Sequence, residues 1–350
     1  MRYYIVTDKL FPFDRDGGTA YTSFEWASFL NTLSDKTTLV YHGNKEINSE
    51  IVNFDVIKLG NPIEYLNFFK TIRAGDLVFL NSAFKFWELF YFILKIHTKI
   101  QLFWLSHGSF DRQLTTTLKK KLYMRFWASR FVQFVNSYIC NSAGEFENLP
   151  DRFKKHAIVI ENLFPEFSIN FEKATMHKQV LKMKAEKGYF LIFGRIDPKK
   201  RILETINHLH KIGFFNSYCL RIAGPAANDN YLSTLREAIE NLNIEKNCII
   251  LPRQFDDSDK LKILSESTCL LLFSESEGLP IVILEGLLLG KNVICSEGCN
   301  VGHLNDVLTV KNLSKITMSD LSNFEPIPRS IQSYDIGRAK LLKFYDYFNT

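Results

Sequence analysis

Short apolar runs bounded by turn residues alternate with stretches of helical period along almost the whole chain. In the first half the runs fall at 2–7, 38–42, 54–59, 76–80, 100–105, 137–140 and 156–160, with helical stretches at 20–33, 83–97 and 116–134. The rhythm restarts with runs at 189–194, 218–224, 248–251, 269–274 and 292–296. Helical stretches at 201–212, 231–241, 258–265 and 281–289 separate them. Apolar runs alternating with helices predict parallel strands buried on both faces. The expected fold class is α/β, with two Rossmann-like doubly wound domains facing each other across a cleft. Ligands in such folds bind beyond the carboxyl ends of the strands, so the cleft is the place to look.

Residues 165–187 contain no strong strand, and 172–187 carry five lysines against two glutamates. This predicts a first domain over 1–165, a linker over 166–187 and a second domain over 188–330. The last segment, 331–350, sets Tyr334, Leu341, Leu342, Phe344 and Tyr347 at roughly helical spacing. A terminal helix with such a stripe is expected to pack back on the first domain.

A length of 350 residues agrees with two domains, and 46% hydrophobic with 23% charged residues excludes a disordered or collagen-like chain. The net charge of +5 is too small to point to nucleic acid. Aromatic residues are in excess: 31 Phe, 14 Tyr and 4 Trp, together 49 of 350. They imply either a very aromatic core or an apolar face that meets something. The six cysteines, at 140, 219, 248, 269, 295 and 299, form no CxxC pair, and five fall in apolar runs, where Cys acts as a small hydrophobe. The first residues run straight into a strand without the apolar segment of a secretion signal. The longest apolar candidate, 79–96, is broken by Asn81, Lys85, Glu88 and Lys95. A non-spanning protein of the reduced, cytoplasmic compartment is expected.

Two segments carry the chemistry. In the first, Ser274 to Gly286, a buried strand ends at Ser274, a loop holds Glu277, Gly278, Leu279 and Pro280, and a helix begins near Ile281. The unpaired amides and positive dipole of a helix start suit an anion. Glu277 in the loop can face a ligand held there, while Glu285, eight residues on, can accept hydrogen bonds from vicinal hydroxyls such as those of a ribose. In the second, Gly194-Arg195-Ile196-Asp197-Pro198-Lys199-Lys200-Arg201, cations cluster beside a glycine at a strand-to-helix junction. Arg195 as a fork and Lys200 as a point charge would suit a diphosphate. By themselves both segments also read as solvated loops with charged helix starts.

Together they resemble the retaining glycosyltransferase family 4, of the GT-B fold, whose donor domain carries a G-R-x-x-x-x-K motif (here Gly194, Arg195, Lys200) and an E-x7-E motif (Glu277, Glu285). Ile222-Ala223-Gly224-Pro225 is similar to the family's strand with a glycine turn, and Gly290-Lys291-Asn292-Val293-Ile294 to its G-x-P-V-I. Asn141-Ser142-Ala143-Gly144-Glu145 is similar to its S-x-x-E, and Glu161-Asn162 to its late N-G. Asn292 stands for the usual proline and Leu163 for the usual glycine. Leu251-Pro252-Arg253 replaces the glycine-containing turn beside the nucleotide base, so the base is left open and Arg253 joins the donor-binding set. In the first domain, the loop Pro12 to Gly18 ends in the pair Gly17 and Gly18, where the backbone can approach a ligand closely. The resemblance implies that this loop borders the donor phosphates and acceptor. It also implies that His107, after the run 100–105, is the active-site histidine that touches the donor sugar. Asp14 and Asp16 form a D-x-D, whose metal-binding version belongs to another transferase fold, so neither a metal nor another cofactor is expected.

From 70 to 140 eleven basic residues face three acidic ones, a local charge of +8 in a chain of +5. Lys119, Lys120, Lys121, Arg125 and Trp127 interleave cations with rings on an expected helix, while Phe84, Phe86, Trp87, Phe90 and Tyr91 add rings nearby. Such a helix can lie on an anionic membrane surface, with cations on the headgroups and rings below them; it also reads as an amphipathic helix whose rings pack on the sheet. The expected protein moves a sugar, with retention inherited from the family, from a nucleotide-sugar donor to a glycan or lipid-linked glycan acceptor. A UDP-sugar comes before a GDP-sugar, bacterial polysaccharide or lipopolysaccharide synthesis is the setting, and the inner face of the cytoplasmic membrane is the place. The alternatives are a sugar-nucleotide epimerase of the same architecture and a catalytically silent binding protein. A dinucleotide-dependent dehydrogenase has little support, because no G-x-G-x-x-G follows the first strand.

Overall fold

The computed structural model describes residues 1–9, 18–34, 36–43, 52–105, 107, 110, 118–163, 188–301, 304, 307–322 and 335–349. The chain divides into two units, Met1–Ser168 with Asp335–Thr350, and Ile169–Tyr334. The 166–187 segment expected to link them lies outside the described residues.

The first unit holds a seven-stranded parallel sheet in the order β3-β2-β1-β4-β5-β6-β7. Its strands are β1 (Tyr3–Thr7), β2 (Thr37–Tyr41), β3 (Asp55–Lys58), β4 (Leu77–Asn81), β5 (Gln101–Leu105), β6 (Ser137–Cys140) and β7 (Ala157–Val159). Successive side chains alternate between two cores, as the pleat requires. Tyr4, Val6, Val40, Val78, Leu80, Leu102, Trp104 and Tyr138 face one core; α2 (Pro62–Thr71) adds Phe68, and α3 (Glu88–Thr98) adds Tyr91 and Phe92. Tyr3, Ile5, Leu39, Leu77, Phe79, Phe103 and Ile139 face the other, beneath α1 (Gly18–Leu33). Much of the aromatic excess is spent here: Trp26, Trp104, Tyr3, Tyr91, Tyr138 and several Phe are almost fully buried.

Helix α2 was not among the expected elements, although Asn61, Pro62 and Glu64 spell its start. The Asn61 side chain accepts from the Ile63 and Glu64 amides, and Glu64 Oε2 accepts from the Asn61 amide at 3.2 Å. The expected helix over 116–134 is broken, within its described part, into α4 (Leu118–Tyr123), a π-helical turn (Met124–Ala128) and α5 (Ser129–Phe131). The short helices α6 (Ala143–Asn148) and α7 (Asp151–Lys154) complete the run before β7.

The second unit is a six-stranded parallel sheet, β10-β9-β8-β11-β12-β13. Its strands are β8 (Tyr189–Phe193), β9 (Cys219–Ala223), β10 (Cys248–Leu251), β11 (Ser267–Leu272), β12 (Asn292–Ser296) and β13 (Val307–Val310), the last unforeseen. The intervening helices are α8 (Ile202–Lys211), α9 (Asp229–Asn241), α10 (Asp257–Glu266) and α11 (Ile281–Leu288), with α12 (Met318–Ser322) after β13. Helices α8 and α9 bury Ile202, Ile206, Leu209, Leu235 and Ile239 against Phe190, Ile192, Leu220 and Ile222.

The last helix, α13 (Asp335–Asn349), belongs to the first unit and closes the core that α1 covers. Leu341 is fully buried there, Phe344 meets Phe103 at 4.8 Å between ring centres, and Tyr345 stacks on Tyr3 at 5.5 Å. Leu342 and Tyr347, expected in the apolar stripe, are exposed instead.

Among the buried polar residues of the first unit, one stands within a cluster of rings. His42, after β2, lies against Trp87 with ring centres 4.0 Å apart and contacts the Tyr65 and Tyr91 hydroxyls at 2.6 and 2.8 Å. Burial pushes its pKa from 6.5 down to about 3. The unfolded chain therefore takes up a proton here from about pH 6.5 downward, while the folded chain resists it until about 3. Folding stability falls as pH drops through that window. Melting temperatures between pH 7 and 4 are expected to fall, and more shallowly in His42→Gln; equal slopes would show that His42 does not titrate on unfolding.

Candidate functional site

In the second unit the strand order reverses between β8 and β11, so the loops leaving those strands run to opposite sides and leave a crevice at their carboxyl ends. The loop after β8 is set by two glycines. Gly194 and Gly224 have φ of +136° and +139°, and a Cβ on Gly224 would lie 2.1 Å from the Gly194 carbonyl oxygen. Only glycine permits both the angle and the approach. Hydrogen bonds from the Gly194 amide to Ala223 O at 2.9 Å and from the Ile196 amide to Pro225 O at 2.8 Å stitch the two loops together.

Asp197 then caps a 3-10 turn, Pro198–Lys200, by accepting from the Lys199 amide at 3.0 Å. That turn aims Lys200 back across the reversal. Its Nζ lies 2.8 Å from Glu277 Oε1, in the loop after β11. Backbone bonds hold the two loops in this relation: Glu275 N donates to Lys199 O at 3.0 Å and Glu277 N to Gly298 O at 2.7 Å. Burial works against the Glu277 charge, but Lys200 and Lys199 outweigh it and hold the carboxyl below the usual carboxylate range. Gly278, Leu279 and Pro280 lead from Glu277 into α11, which begins at Ile281 with no side-chain cap. Arg195 is 68% exposed, its Nε 3.5 Å from Asp197 Oδ2. Lys200, Glu277, Arg195 and the start of α11 thus share one end of one sheet, where they can hold a polyanion with a hydroxylated group beside it.

Two further residues of the sequence-derived set are held by partners that the sequence did not announce. Glu285, 3% exposed, accepts from Lys260 Nζ at 2.7 Å. The Arg253 guanidinium lies 4.1 Å over the Phe255 ring and 2.8 Å from Asp259 Oδ2.

The remaining residues belong to the first unit. His107 follows β5 with φ of +51° and is held on both ring nitrogens: Asn141 Nδ2 donates to Nδ1 at 2.7 Å, and Nε2–H donates to Asn81 Oδ1. Burial pushes its pKa down to about 4, so the ring is neutral near pH 7. Asn81 in turn donates to Ser23 Oγ on α1. Asn81 was missed, because an Asn ending an apolar run looks like turn punctuation. The Ser142 and Glu145 pair proves architectural: Ser142 Oγ accepts from the Glu145 amide at 3.1 Å, and Glu145 Oε2 from the Asn141 amide at 2.7 Å. Gly18 is the first residue of α1; Gly17, Asp14 and Asp16 lie outside the described residues.

The outer side of α2, α3 and the 118–134 segment carries a separate surface. Ile63, Leu66, Phe86, Phe90, Ile93, Leu122, Phe126 and Trp127 are exposed, Phe86 by 81% and Trp127 by 51%. Lys119, Lys121 and Arg125 are exposed among them, and Lys120 Nζ lies 5.6 Å from the Phe84 ring centre. Two of the three acidic residues between 70 and 140 turn inward. Asp76 pairs with Arg2 at 2.6 Å, and buried Glu88 accepts from Ser82 and Tyr123 at 2.7 and 2.6 Å. The third, Asp111, lies outside the described residues. Among the described residues no helix is long and apolar enough to cross a membrane.

Residues 173–307, which include Gly194, Lys200, Glu277 and Glu285, match the model of the family of glycosyl transferases group 1. No curated protein matches the sequence. Among solved structures, Alr3699/HepE of Anabaena in complex with UDP and glucose is similar at a TM-score of 0.69 and 15% identity, over 98% of this chain and 95% of that one. A glycosyltransferase from Rickettsia africae gives 0.69 and 18%, over 100% and 98% of the two chains. Sucrose-phosphate synthase from Thermosynechococcus elongatus gives 0.72 and 13%, over 99% and 98%. At such identities the likeness is one of fold, and the chain has the two-domain α/β fold of the GT-B glycosyltransferases. The approach of Gly224 to Gly194 is the feature least tolerant of change. Gly224→Ala is expected to cost about 1–3 kcal/mol through backbone strain, read from chemical denaturation, before any crowding of the loop is counted.

Proposed function

We propose that the protein is a retaining glycosyltransferase that takes a sugar from a nucleotide-diphosphate donor, a UDP-sugar before a GDP-sugar. The acceptor is a glycan or lipid-linked glycan in bacterial polysaccharide or lipopolysaccharide synthesis. The observation that carries this reading is the Lys200–Glu277 pair, 2.8 Å apart at the strand reversal beside the start of α11. The match to glycosyl transferases group 1 over 173–307 and the fold shared with a UDP-bound protein support it.

The residues suggest how the reaction runs. As the bond between sugar and diphosphate breaks, the leaving group gathers negative charge and the sugar becomes oxocarbenium-like. Arg195, Lys200 and the amides opening α11 stabilise that charge without a metal ion. With Lys200 on the phosphates, Glu277 is released to accept from sugar hydroxyls. The ion pair thus keeps both side chains in place. The family resemblance assigns neutral His107, its ring held by Asn81 and Asn141, to the donor sugar, Gly17 and Gly18 to the close approach of the backbone to the donor, and Glu285 to the ribose.

The exposed rings and cations of 62–134 fit an anionic lipid surface, which would hold the protein at the inner face of the cytoplasmic membrane, beside a lipid-linked acceptor. Rings enter the interface while lysines meet the headgroups, each worth about 1 kcal/mol.

A nucleoside diphosphate at 100 times its Kd is expected to stabilise the chain by about 2.7 kcal/mol, in a thermal-shift series of UDP, GDP and ADP with and without magnesium. Arg195→Ala is expected to lower turnover by about 10²–10³-fold while leaving the melting temperature unchanged, because Arg195 is exposed. Full activity in both Arg195→Ala and Lys200→Met would remove the phosphate assignment, and donor turnover without acceptor would favour an epimerase.

Sedimentation with phosphatidylglycerol vesicles at low salt is expected to carry the protein down, with a blue shift of tryptophan emission. Replacing Lys119, Lys120 and Lys121 by Gln is expected to weaken it by about 3 kcal/mol. Protein left in the supernatant at low salt would remove the membrane assignment.

A further inference from the structure

A buried lysine lies behind the donor site, in a helix to which the reading above gives no task. Lys260, in the first turn of α10, is 7% exposed, and its Nζ lies 2.7 Å from Glu285 Oε1 and 3.7 Å from Asp257 Oδ1. A lysine is rarely buried unless its ammonium is paired, because losing water is costly for an ion. The long side chain crosses from α10 to α11 to meet a carboxylate that is itself 3% exposed. Such a pair is weak evidence for stability, since two apolar side chains would serve as well or better; its use lies in fixing a geometry.

The geometry fixed here is that of Glu285. Lys260 holds Oε1, while Oε2 accepts from no described residue and is not among the buried side-chain atoms left without a partner among the described residues. One oxygen is clamped and the other is left as an acceptor. The adjacent Asp259 holds Arg253 in the same helical turn, so the start of α10 braces two residues of the proposed nucleoside end of the site.

We propose that Lys260 is a positioning residue that clamps Glu285, so that its second oxygen is oriented to accept from the ribose hydroxyls of the donor, and that this clamp makes the site selective for a ribonucleoside. This rests on the donor reading above. An acceptor held in place loses little freedom on binding and is left unpaired by a ligand that lacks the hydroxyl. Without the ammonium the Glu285 carboxylate is free to turn, and the selectivity goes with it, while Lys200 and Arg195 still take the diphosphate.

The test compares UDP and GDP with their 2′,3′-dideoxy counterparts by calorimetry, on the full chain and on Lys260→Met, Lys260→Arg and Lys260→Met/Glu285→Gln. The unsubstituted chain is expected to prefer the ribonucleotide by about tenfold or more. Lys260→Met is expected to bind both forms within about threefold, at the affinity that the unsubstituted chain shows for the dideoxy form, and Lys260→Arg to restore the preference. The double variant, which leaves no buried charge unpaired, repeats the comparison if Lys260→Met does not fold, and is expected to show no preference. A folded Lys260→Met or double variant with an undiminished preference would overturn the proposal. So would equal binding of both forms by the unsubstituted chain, which would leave the diphosphate assignment standing. Failure of UDP and GDP alike to bind the unsubstituted chain would instead bring down the donor reading, and this inference with it.

Discussion

The reversal of strand order between β8 and β11 is the constraint from which the rest of the second unit follows. Two right-handed crossovers that depart in opposite directions leave their loops side by side without a helix between them. Those loops are short and charged, so they must be held by something other than apolar packing. The backbone contact of Gly224 with Gly194 fixes one loop, the Gly298 carbonyl fixes the other, and the Lys200–Glu277 pair joins them. In a site without a ligand, each of these two charges is the other's counterion. The proposed exchange, in which a polyanion takes the lysine and leaves the carboxylate to hydroxyl donors, starts from this pair.

The first unit solves a similar sheet with uncharged groups. Ser23, Asn81, His107 and Asn141 form a chain of hydrogen bonds at the carboxyl ends of β4, β5 and β6, and His107 is kept neutral by burial. An amide on each ring nitrogen holds the imidazole in one tautomer and one orientation. His107 makes both contacts from a backbone of positive φ, a region that few residues other than glycine adopt readily. The loops of one unit are thus joined by an ion pair, and those of the other by neutral hydrogen bonds.

The aromatic excess has two destinations that composition alone does not separate. In the core of the first unit Trp104 packs edge on face with Phe110 and Tyr138 with Phe153, while Phe110 and Tyr138 stack, and His42 among Trp87, Tyr65 and Tyr91 belongs to that packing. Phe86, Phe126 and Trp127 are left outside with the lysines. The π-helical turn at Met124–Ala128 shifts the angular phase of the helix within this segment.

How much was legible in the residues depends on the range of the forces involved. Strand runs such as 76–80 and 269–274 stand out because a parallel strand buried on both faces is apolar over most of its length, a local property. Gly194, Lys200, Glu277 and Glu285 stand out because their spacing is local and matches a known pattern. Val307–Val310 did not, being a short, half-exposed edge strand, and α2 was passed over despite its capping box. The partners Lys260, Asn81 and Asp259 carry no signal of their own: a lysine in a helix start, an asparagine at a strand end and an aspartate in a first turn are ordinary on a surface. Sequence determined the α/β class, the element rhythm and the local motif spacings. Tertiary structure alone decided that Lys260 is buried against a carboxylate 25 residues away and Asn81 against a histidine 26 residues away, because burial and pairing depend on which distant elements the sheet order makes neighbours.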